Sequence, residues 1–417
     1  MKSPVTDYLE DLLTSTRDEN SGELAAYIPE LAKADPNKFA IALTTVDGRS
    51  YAVGDVDHEF SLQSISKPFA YALALADRGL SHVISKVGVE PSGEAFNELS
   101  VEEGTQRPDN PMINVGAIAI HSMLVSDSAG QQERIDHLLD FLSRLAGRQL
   151  HIDQSVFESE KETAQRNLAM AHMLKSFGLF EAEAHEVVEG YIAQCAIKVN
   201  VQDLSIMGAT FANGGVQPIT GEQTVDSIVA RQVLSVMVSA GMYDGSGTWF
   251  AQVGIPAKSG VSGGVLGVLP SQLGIGVFSP RLDEKGNSVR SIEVFKQLSA
   301  QMGLHMMNAE AYSYEAVRLV RQVGSETVIE LQGRLEFTNA EETLHRLENM
   351  KLECADLVVD LTRVSEANRV GRAMLLDGLN AIQDEGIQVS LLDPDNVLKM
   401  RGECEDDGIQ VLSASSE

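Results

Sequence analysis

Cysteine is scarce in this sequence, with only Cys195, Cys354 and Cys404 among 417 residues. Because the number is odd and the three positions are far apart, the sequence indicates neither a disulfide framework nor a zinc site, and reduced thiols are expected. The nine histidines lack ligand spacing such as H-x-x-x-H, which favours structural or exposed roles over a metal site or a Ser-His triad. We therefore expect no metal and no other cofactor.

Long apolar runs are also absent. Residues 1–20 contain five acidic side chains and no uninterrupted apolar stretch, which argues against a cleavable signal peptide. No later segment combines the length and the apolar composition needed to span a bilayer. These absences predict a cytoplasmic protein with no membrane partner.

Basic residues are few, since 32 lysines and arginines stand against 60 aspartates and glutamates and the net charge is −28. A surface of this sign repels the phosphates of nucleic acids and anionic lipids, so neither is expected as a partner. We interpret the charge as a solubility feature in preference to an adaptation to high salt.

The length of the chain predicts two domains, which we place at residues 1–310 and 311–417. In the first, Asp47-Gly48 between two β-rich runs predicts a hairpin. Helical patterns extend from Ser66 to about residue 250, and the runs AKSGVSGGVLGVL and QLGIGVFS then predict two more strands. Strands at both ends with helices between them indicate an α+β fold, in which a mostly antiparallel sheet packs against a helical region.

The pattern changes after His305. Thr338 and Glu341 have the spacing of a capping box for the first helix of the second domain. A small α/β domain is predicted, because strand, helix, strand, helix, strand and strand are indicated in turn by ETVIELQG, NAEETLHRLENM, DLVVDL, RAMLLDGLNAIQDEG, QVSLLD and IQVLSA.

The first candidate for chemistry is Ser64-Ile65-Ser66-Lys67, an S-x-x-K motif at a predicted helix start with Pro68 in the first turn. One helical turn would bring the Lys67 amine beside the Ser64 hydroxyl. Serine attacks only when a base removes its proton, and lysine can be that base if burial and positive neighbours lower its pKa. The motif alone is weak, because it recurs by chance and a capping serine beside a solvated lysine is the commoner explanation.

A second motif, Lys258-Ser259-Gly260, lies on a predicted strand. Beta-lactamases and penicillin-binding proteins carry S-x-x-K early and K-[ST]-G late, in this order, so the pair indicates a beta-lactamase/transpeptidase-like sheet. Ser126-Asp127-Ser128 imitates the middle motif of those enzymes, but its polar, glycine-ended surroundings predict a turn.

The chain contains, in order, the segments YIPEL, SLQSISKP, EPSGEAFN, NPMINVGA, SEKETAQRN, GMYDGSG and AKSGVSGG. Together these segments resemble the serine-dependent glutaminase family over about residues 20–305. The resemblance implies Ser64 as nucleophile, Lys67 as its base and Tyr243 as a second proton carrier. It also implies an oxyanion hole made by the backbone N–H groups of Ser64 and Val261.

The same resemblance implies L-glutamine as substrate and a set of residues that would hold it. Glu160 would face the substrate ammonium, with Asn167 two turns further along the same face if the stretch is helical. Asn114, Tyr191 and Tyr27 would donate to the carboxylate and the substrate backbone. Without this context, Tyr27 and Tyr191 would be assigned structural roles and Glu160 a solvated one. Family membership also suggests a homo-oligomer.

The second domain resembles the STAS domains of anti-sigma-factor antagonists and sulfate transporters, which suggests a possible protein partner. In the signature region Asp360–Gly371, Arg369 stands where the phosphorylated serine is expected, which argues against a phosphorylation switch. Two other functions stay open at this point. One is a penicillin-interacting serine hydrolase of the same fold, and the other is a non-catalytic STAS-type regulator with an inactive enzyme domain.

Overall fold

A computed structural model describes residues 4–92, 100–308, 316–350, 356–399 and 409–412. The chain divides into two compact units, Met1–Asn308 and Ala309–Glu417. Cys354, Cys404 and most of the segment EPSGEAFN lie outside the described residues. Of the helices that the structure describes, none has the length and apolar composition of a membrane span.

The first unit is built on a five-stranded antiparallel sheet with strand order β2-β1-β7-β6-β5. Ile41 in the interior strand β1 pairs with Val53 on one side and with Val277 on the other. A separate short ladder joins β3 to β4. The strands are β1 Ala40–Thr45, β2 Ser50–Gly54, β3 Phe60–Ser61, β4 Lys198–Val199, β5 Ala257–Ser259, β6 Gly264–Leu269 and β7 Leu273–Phe278.

The helices of the first unit occupy mainly the stretch between β2 and β5, as the sequence predicts. Two more helices lie at the ends of the unit. The helices are α1 Pro4–Thr16, α2 Ser66–Arg78, α3 Leu80–Lys86, α4 Asn114–Ser122, α5 Gln131–Ala146, α6 Gln154–Glu162, α7 Gln165–Ser176, α8 Ala184–Cys195, α9 Val201–Ala212, α10 Ser227–Ala240, α11 Ser246–Gln252 and α12 Val289–Met302.

The two faces of this sheet contribute to different cores. Leu9 of α1 and Phe295 of α12 pack with one face, whereas the central helices pack against the other. On the second face α9 approaches β7 so closely that a Cβ at Gly274 would lie 2.1 Å from the Ala209 nitrogen. The glycines that alternate with apolar residues in QLGIGVFS are therefore required by this contact.

The predicted hairpin at Asp47-Gly48 is present, and Gly48 has a left-handed φ of 81°. The single strand predicted over AKSGVSGGVLGVL is wrong, because the structure divides the run into β5 and β6, which pair antiparallel. Gly263, with a φ of 106°, lies in the reversal between them. Glycine adopts such angles without steric cost, so the chain can turn inside an otherwise strand-like run.

The second unit contains a mixed five-stranded sheet with order β12-β11-β10-β9-β8. Strands β9 to β12 pair in parallel and β8 pairs antiparallel with β9. Its core includes Ile329, Leu357 and Leu375. The elements are β8 Val317–Val323, β9 Glu326–Leu335, α13 Phe337–Asn349, β10 Asp356–Ala367, α14 Arg369–Asp384, β11 Gln388–Leu392 and β12 Gln410–Leu412.

Two features of the second unit differ from the prediction. Strand β8 was not predicted, because its side chains are mostly exposed and give no apolar alternation. The predicted capping box is also wrong, since α13 begins at Phe337 and places Thr338 inside the first turn. The side chain of the preceding Glu336 makes no cap hydrogen bond, whereas Asn368 caps α14 through the Gly371 N–H at 2.8 Å.

Candidate active site

The S-x-x-K motif folds as the sequence predicts at the start of a helix. Gln63–Ile65 form a short 3-10 turn that runs directly into α2, and Pro68 lies in the first turn of that helix. Both functional side chains are inside the protein, with Ser64 6% exposed and Lys67 1% exposed. A solvated lysine, the alternative explanation of the motif, is therefore excluded.

The Lys67 amine lies among neutral acceptors. It donates to the Met112 carbonyl oxygen at 3.1 Å and to Asn114 Oδ1 at 2.6 Å. Burial lowers the pKa of Lys67 to about 7, because transfer from water penalises the charged ammonium. A neutral amine has two N–H donors, which these two acceptors satisfy, and it keeps one lone pair available to accept a proton.

Tyr243 and the K-S-G strand meet beside the nucleophile. The Tyr243 hydroxyl donates to the Ser259 carbonyl oxygen at 3.1 Å and is also hydrogen-bonded to the Ser64 side chain. The Lys258 amine donates to the same carbonyl at 2.9 Å and lies 4.1 Å from the centre of the Tyr243 ring. Burial raises the pKa of Tyr243, so the phenol is protonated near neutral pH.

Lys258 was not among the predicted site residues, although its motif was recognised. It is completely buried, and burial followed by repulsion from Lys67 holds its pKa well below the usual lysine range. The signal in the sequence was the K-S-G motif itself. From that motif Lys258 could have been predicted as a site residue, as the strand was.

A cavity of about 270 Å³ opens in front of Ser64. Seven of the nine predicted site residues line it: Tyr27, Ser64, Asn114, Glu160, Asn167, Tyr191 and Val261. The other two, Lys67 and Tyr243, contact this group through Asn114 and Ser64 respectively. Residues that the sequence reasoning missed also line the cavity, and they are Ile28, Gln63, Thr163, Ala164, Arg166 and Cys195.

Glu160 provides an acidic group in this cavity. Its Oε1 accepts from Gln63 Nε2 at 2.5 Å. Burial raises the pKa of Glu160 to about 7, and the hydrogen bond from Gln63 opposes that rise. The carboxyl group is therefore poised between its neutral and charged forms near neutral pH, and a neighbouring cation would favour the charged form.

Glu160 and Asn167 do not lie on one continuous helix, so the condition attached to their shared face is not met. Helix α6 ends at Glu162 and α7 begins at Gln165, with Thr163 and Ala164 between them. Both side chains nevertheless line the same cavity. Their proximity is therefore decided by the packing of two short helices and not by the 3.6-residue period of one.

Asn114 connects the base to the cavity wall. Its Oδ1 accepts from Lys67 and, at 3.3 Å, from the Tyr191 hydroxyl. Tyr191 is 3% exposed, whereas Tyr27 is 59% exposed and lines the cavity from a loop. Across the described ranges, no group of three or more His, Cys, Asp or Glu side chains has the geometry of a metal site.

Comparison with known proteins identifies relatives across most of the chain. A family model described as Glutaminase matches residues 22–307. Glutaminases of Corynebacterium glutamicum and Corynebacterium efficiens are 52% and 50% identical over 395 residues, covering 95% of this chain and 95% and 93% of the relatives. A solved structure of Mglu in its glutamate form has a TM-score of 0.89 at 45% identity, covering 95% of this chain and 100% of that one. A solved structure of the probable glutaminase ybaS has a TM-score of 0.70 at 37% identity, covering 73% of this chain and 98% of that one. The fold, with its antiparallel sheet, therefore matches glutaminase structures.

Proposed function

Because the chain belongs to the glutaminase family and is an amidohydrolase, we propose that it hydrolyses L-glutamine to L-glutamate and ammonia through an acyl-enzyme on Ser64. One observation carries the proposal: a buried serine, with a buried lysine one turn away, lines a cavity that is also lined by a carboxylate, three side-chain amides and two phenols. A free amino acid with a side-chain amide presents groups that such a set can recognise.

In the first half of the reaction, the Ser64 hydroxyl oxygen attacks the γ-carboxamide carbon while neutral Lys67 accepts the hydroxyl proton. The oxyanion that develops is stabilised by the backbone N–H groups of Ser64 and Val261. When the carbon–nitrogen bond breaks, the departing nitrogen receives the proton held by Lys67, directly or by way of Tyr243, and leaves as ammonia. The Lys67 lone pair left by Met112 and Asn114 supports the assignment of the base.

In the second half, water attacks the γ-glutamyl ester. Lys67 accepts the water proton, and the Ser64 oxygen leaves and takes a proton from Tyr243 through their hydrogen bond. Tyr243 then recovers its proton from Lys67. The sum is one glutamine and one water converted to one glutamate and one ammonia. The nucleophile and base thus return to their starting protonation states.

Substrate binding is assigned to the walls of the cavity. Glu160 would pair with the α-ammonium, while Asn114, Tyr191 and Tyr27, with Asn167 on α7, would donate to or orient the α-carboxylate end. The related Mglu structure in its glutamate form supports a product of this class. The proposal requires no metal and no other cofactor.

For the second unit we propose a docking or assembly role as a STAS-like domain, outside catalysis. Its buried carboxylates, Asp360 and Asp393, accept hydrogen bonds from nearby backbone N–H groups and complete local turns. Homo-oligomer formation, a protein partner for this unit and a cytoplasmic location remain part of the same proposal.

The test is ammonia release from purified protein supplied separately with L-glutamine and L-asparagine, alongside hydrolysis of a chromogenic cephalosporin. We expect turnover of glutamine together with a γ-glutamyl ester on Ser64 in acid-quenched protein by peptide mass analysis. Cephalosporin hydrolysis without ammonia release would instead support the penicillin-interacting alternative, and inactivity toward all three would support the regulator.

A further inference from the structure

The residue before the nucleophile has an unusual backbone conformation. Gln63 has a φ of 50°, in the left-handed region that residues other than glycine rarely adopt. Its side-chain amide donates to Ser61 Oγ at 3.2 Å and to Glu160 Oε1 at 2.5 Å. The conformation of this one residue therefore sets both the position of Ser64 and a contact of the Glu160 carboxylate.

A row of buried side chains lies beneath this turn and ends on it. Ser66 Oγ donates to the Gln63 carbonyl oxygen at 2.7 Å, and Gln194 Nε2 donates to Ser66 Oγ at 3.0 Å. His121 Nδ1 lies 3.1 Å from Gln194 Oε1. Ser66, Gln194 and His121 are 0%, 1% and 0% exposed, so solvent does not compete for these bonds.

Every hydrogen bond in the row has one possible direction. A backbone carbonyl only accepts, so Ser66 must donate its single hydroxyl proton to Gln63. Its oxygen can then only accept from Gln194, whose amide must face Ser66 with nitrogen and His121 with oxygen. His121 must consequently carry its proton on Nδ1.

The surroundings of His121 agree with this tautomer. Its Nε2 has no hydrogen-bond partner in the part of the chain that the structure describes, and a Cβ at Gly190 would lie 2.2 Å from it. Burial lowers the pKa of His121 to about 4, which keeps the ring neutral. An unprotonated Nε2 against a glycine is compatible with this tight packing.

We infer that His121, Gln194 and Ser66 are positioning residues, which hold the Gln63 peptide in its left-handed conformation and thereby place Ser64 and Glu160 for reaction. The inference rests on the proposed function. Polar groups at these positions are otherwise unneeded for packing, since apolar side chains would fill a buried helix contact without the cost of satisfying polar atoms. In the inferred role, the hydrogen bonds that satisfy these polar atoms fix the backbone geometry next to Ser64.

The sharpest test compares two buried serines of the same kind. Ser122 Oγ donates to the carbonyl oxygen three residues earlier, at Ala119, at 2.7 Å, as Ser66 does at Gln63, but Ser122 lies on α4 outside the row. We expect both variants to fold, with Ser66→Ala the less stable because it leaves the buried Gln194 amide without its acceptor. Only Ser66→Ala should lower kcat for glutamine, by about tenfold with a much smaller change in KM, because a misplaced nucleophile slows the chemical step.

The row also predicts non-additivity. Gln194→Met preserves volume and removes both of its hydrogen bonds, so the double variant with Ser66→Ala should lose no more kcat than the worse single variant. Losses that multiply, or equal effects of the two serine variants on kcat, would contradict the inference.

Two controls separate this inference from the proposed function. Nitrogen-15 NMR of labelled histidine should show His121 as the Nδ1–H tautomer in the wild-type protein, and an Nε2–H signal would overturn the row whatever the enzyme does. Ser64→Ala tests the function independently: full glutamine turnover in that variant would refute the Ser64 mechanism while leaving the NMR result valid.

Discussion

The two units of the chain treat ionisable groups differently. In the first, Glu160 lines the cavity and Lys67 and Lys258 are buried, and burial displaces the pKa of all three. In the second, charged side chains pair at the surface, as in Arg334 with Glu366, whose side chains are 56% and 59% exposed. The cores of both units are apolar, so the contrast between the units comes from their polar residues.

The physical reason for the difference is the cost of burying charge. An ionised group taken out of water loses several kcal/mol of solvation unless it is paired, and exposed ion pairs return little stability. Buried lysines are typical of functional sites. In the first unit the buried amines have displaced pKa values, whereas the buried carboxylates of the second, Asp360 and Asp393, accept hydrogen bonds from backbone N–H groups.

The strongest test of this contrast removes the nucleophile. Ser64→Ala should reduce glutamine turnover by at least about a thousandfold, and Lys67→Ala nearly as much, because members of one nucleophile–base unit fail together. The melting profile should stay close to wild type for Ser64→Ala, since only a hydroxyl is lost. Steady-state ammonia release measures the effect, and activity above about a thousandth of wild type would reject Ser64 as the nucleophile.

A smaller effect is expected at the carboxylate of the cavity. Glu160→Gln keeps the volume but removes the anion, which should lower kcat/KM for glutamine by roughly 2 kcal/mol, or about thirtyfold. A γ-amide lacking the α-amino group should lose far less. Glu158→Gln, an exposed carboxylate on the same helix, serves as the control and should change little. Equal losses with both substrates would make Glu160 structural.

The pH dependence sharpens the same comparison. Lys67, with its pKa lowered to about 7, must be neutral to accept a proton, and Glu160, with its pKa raised to about 7, must be charged to bind an ammonium. Both conditions are met as pH rises, so kcat/KM should increase through neutrality, with a steeper limb in wild type than in Glu160→Gln. A profile that is flat through neutrality in the wild-type protein would argue against both assignments.

The smallest effect should follow removal of the second unit. A chain ending at Asn308 should keep kcat for glutamine within about twofold, because the first unit contains all the proposed catalytic groups and its own cores. Its oligomeric state and melting temperature, measured by light scattering and calorimetry, are the properties expected to change. A folded but inactive truncated protein would show that the second unit shapes the site.

Several features were predictable from the sequence because they depend on local geometry. One helical turn separates Ser64 from Lys67, Gly48 permits the hairpin, and ordered motifs indicated the glutaminase family, which the comparisons confirmed. The roles of the individual site residues stay predictions. Where the local pattern was ambiguous the predictions were wrong, as at the capping box around Thr338 and in the strand that Gly263 divides.

Tertiary structure decided what depends on surroundings distant in sequence. The sequence by itself determined which residues could react and that Ser64 and Lys67 would be neighbours. It could not fix the burial that shifts the pKa of Lys67, the contact of Gln63 with Glu160 across 97 positions, or the row from His121 to Ser66. Desolvation of side chains and long-range hydrogen bonds arise only once separate helices pack together. These two effects make a common four-residue motif part of a candidate active site.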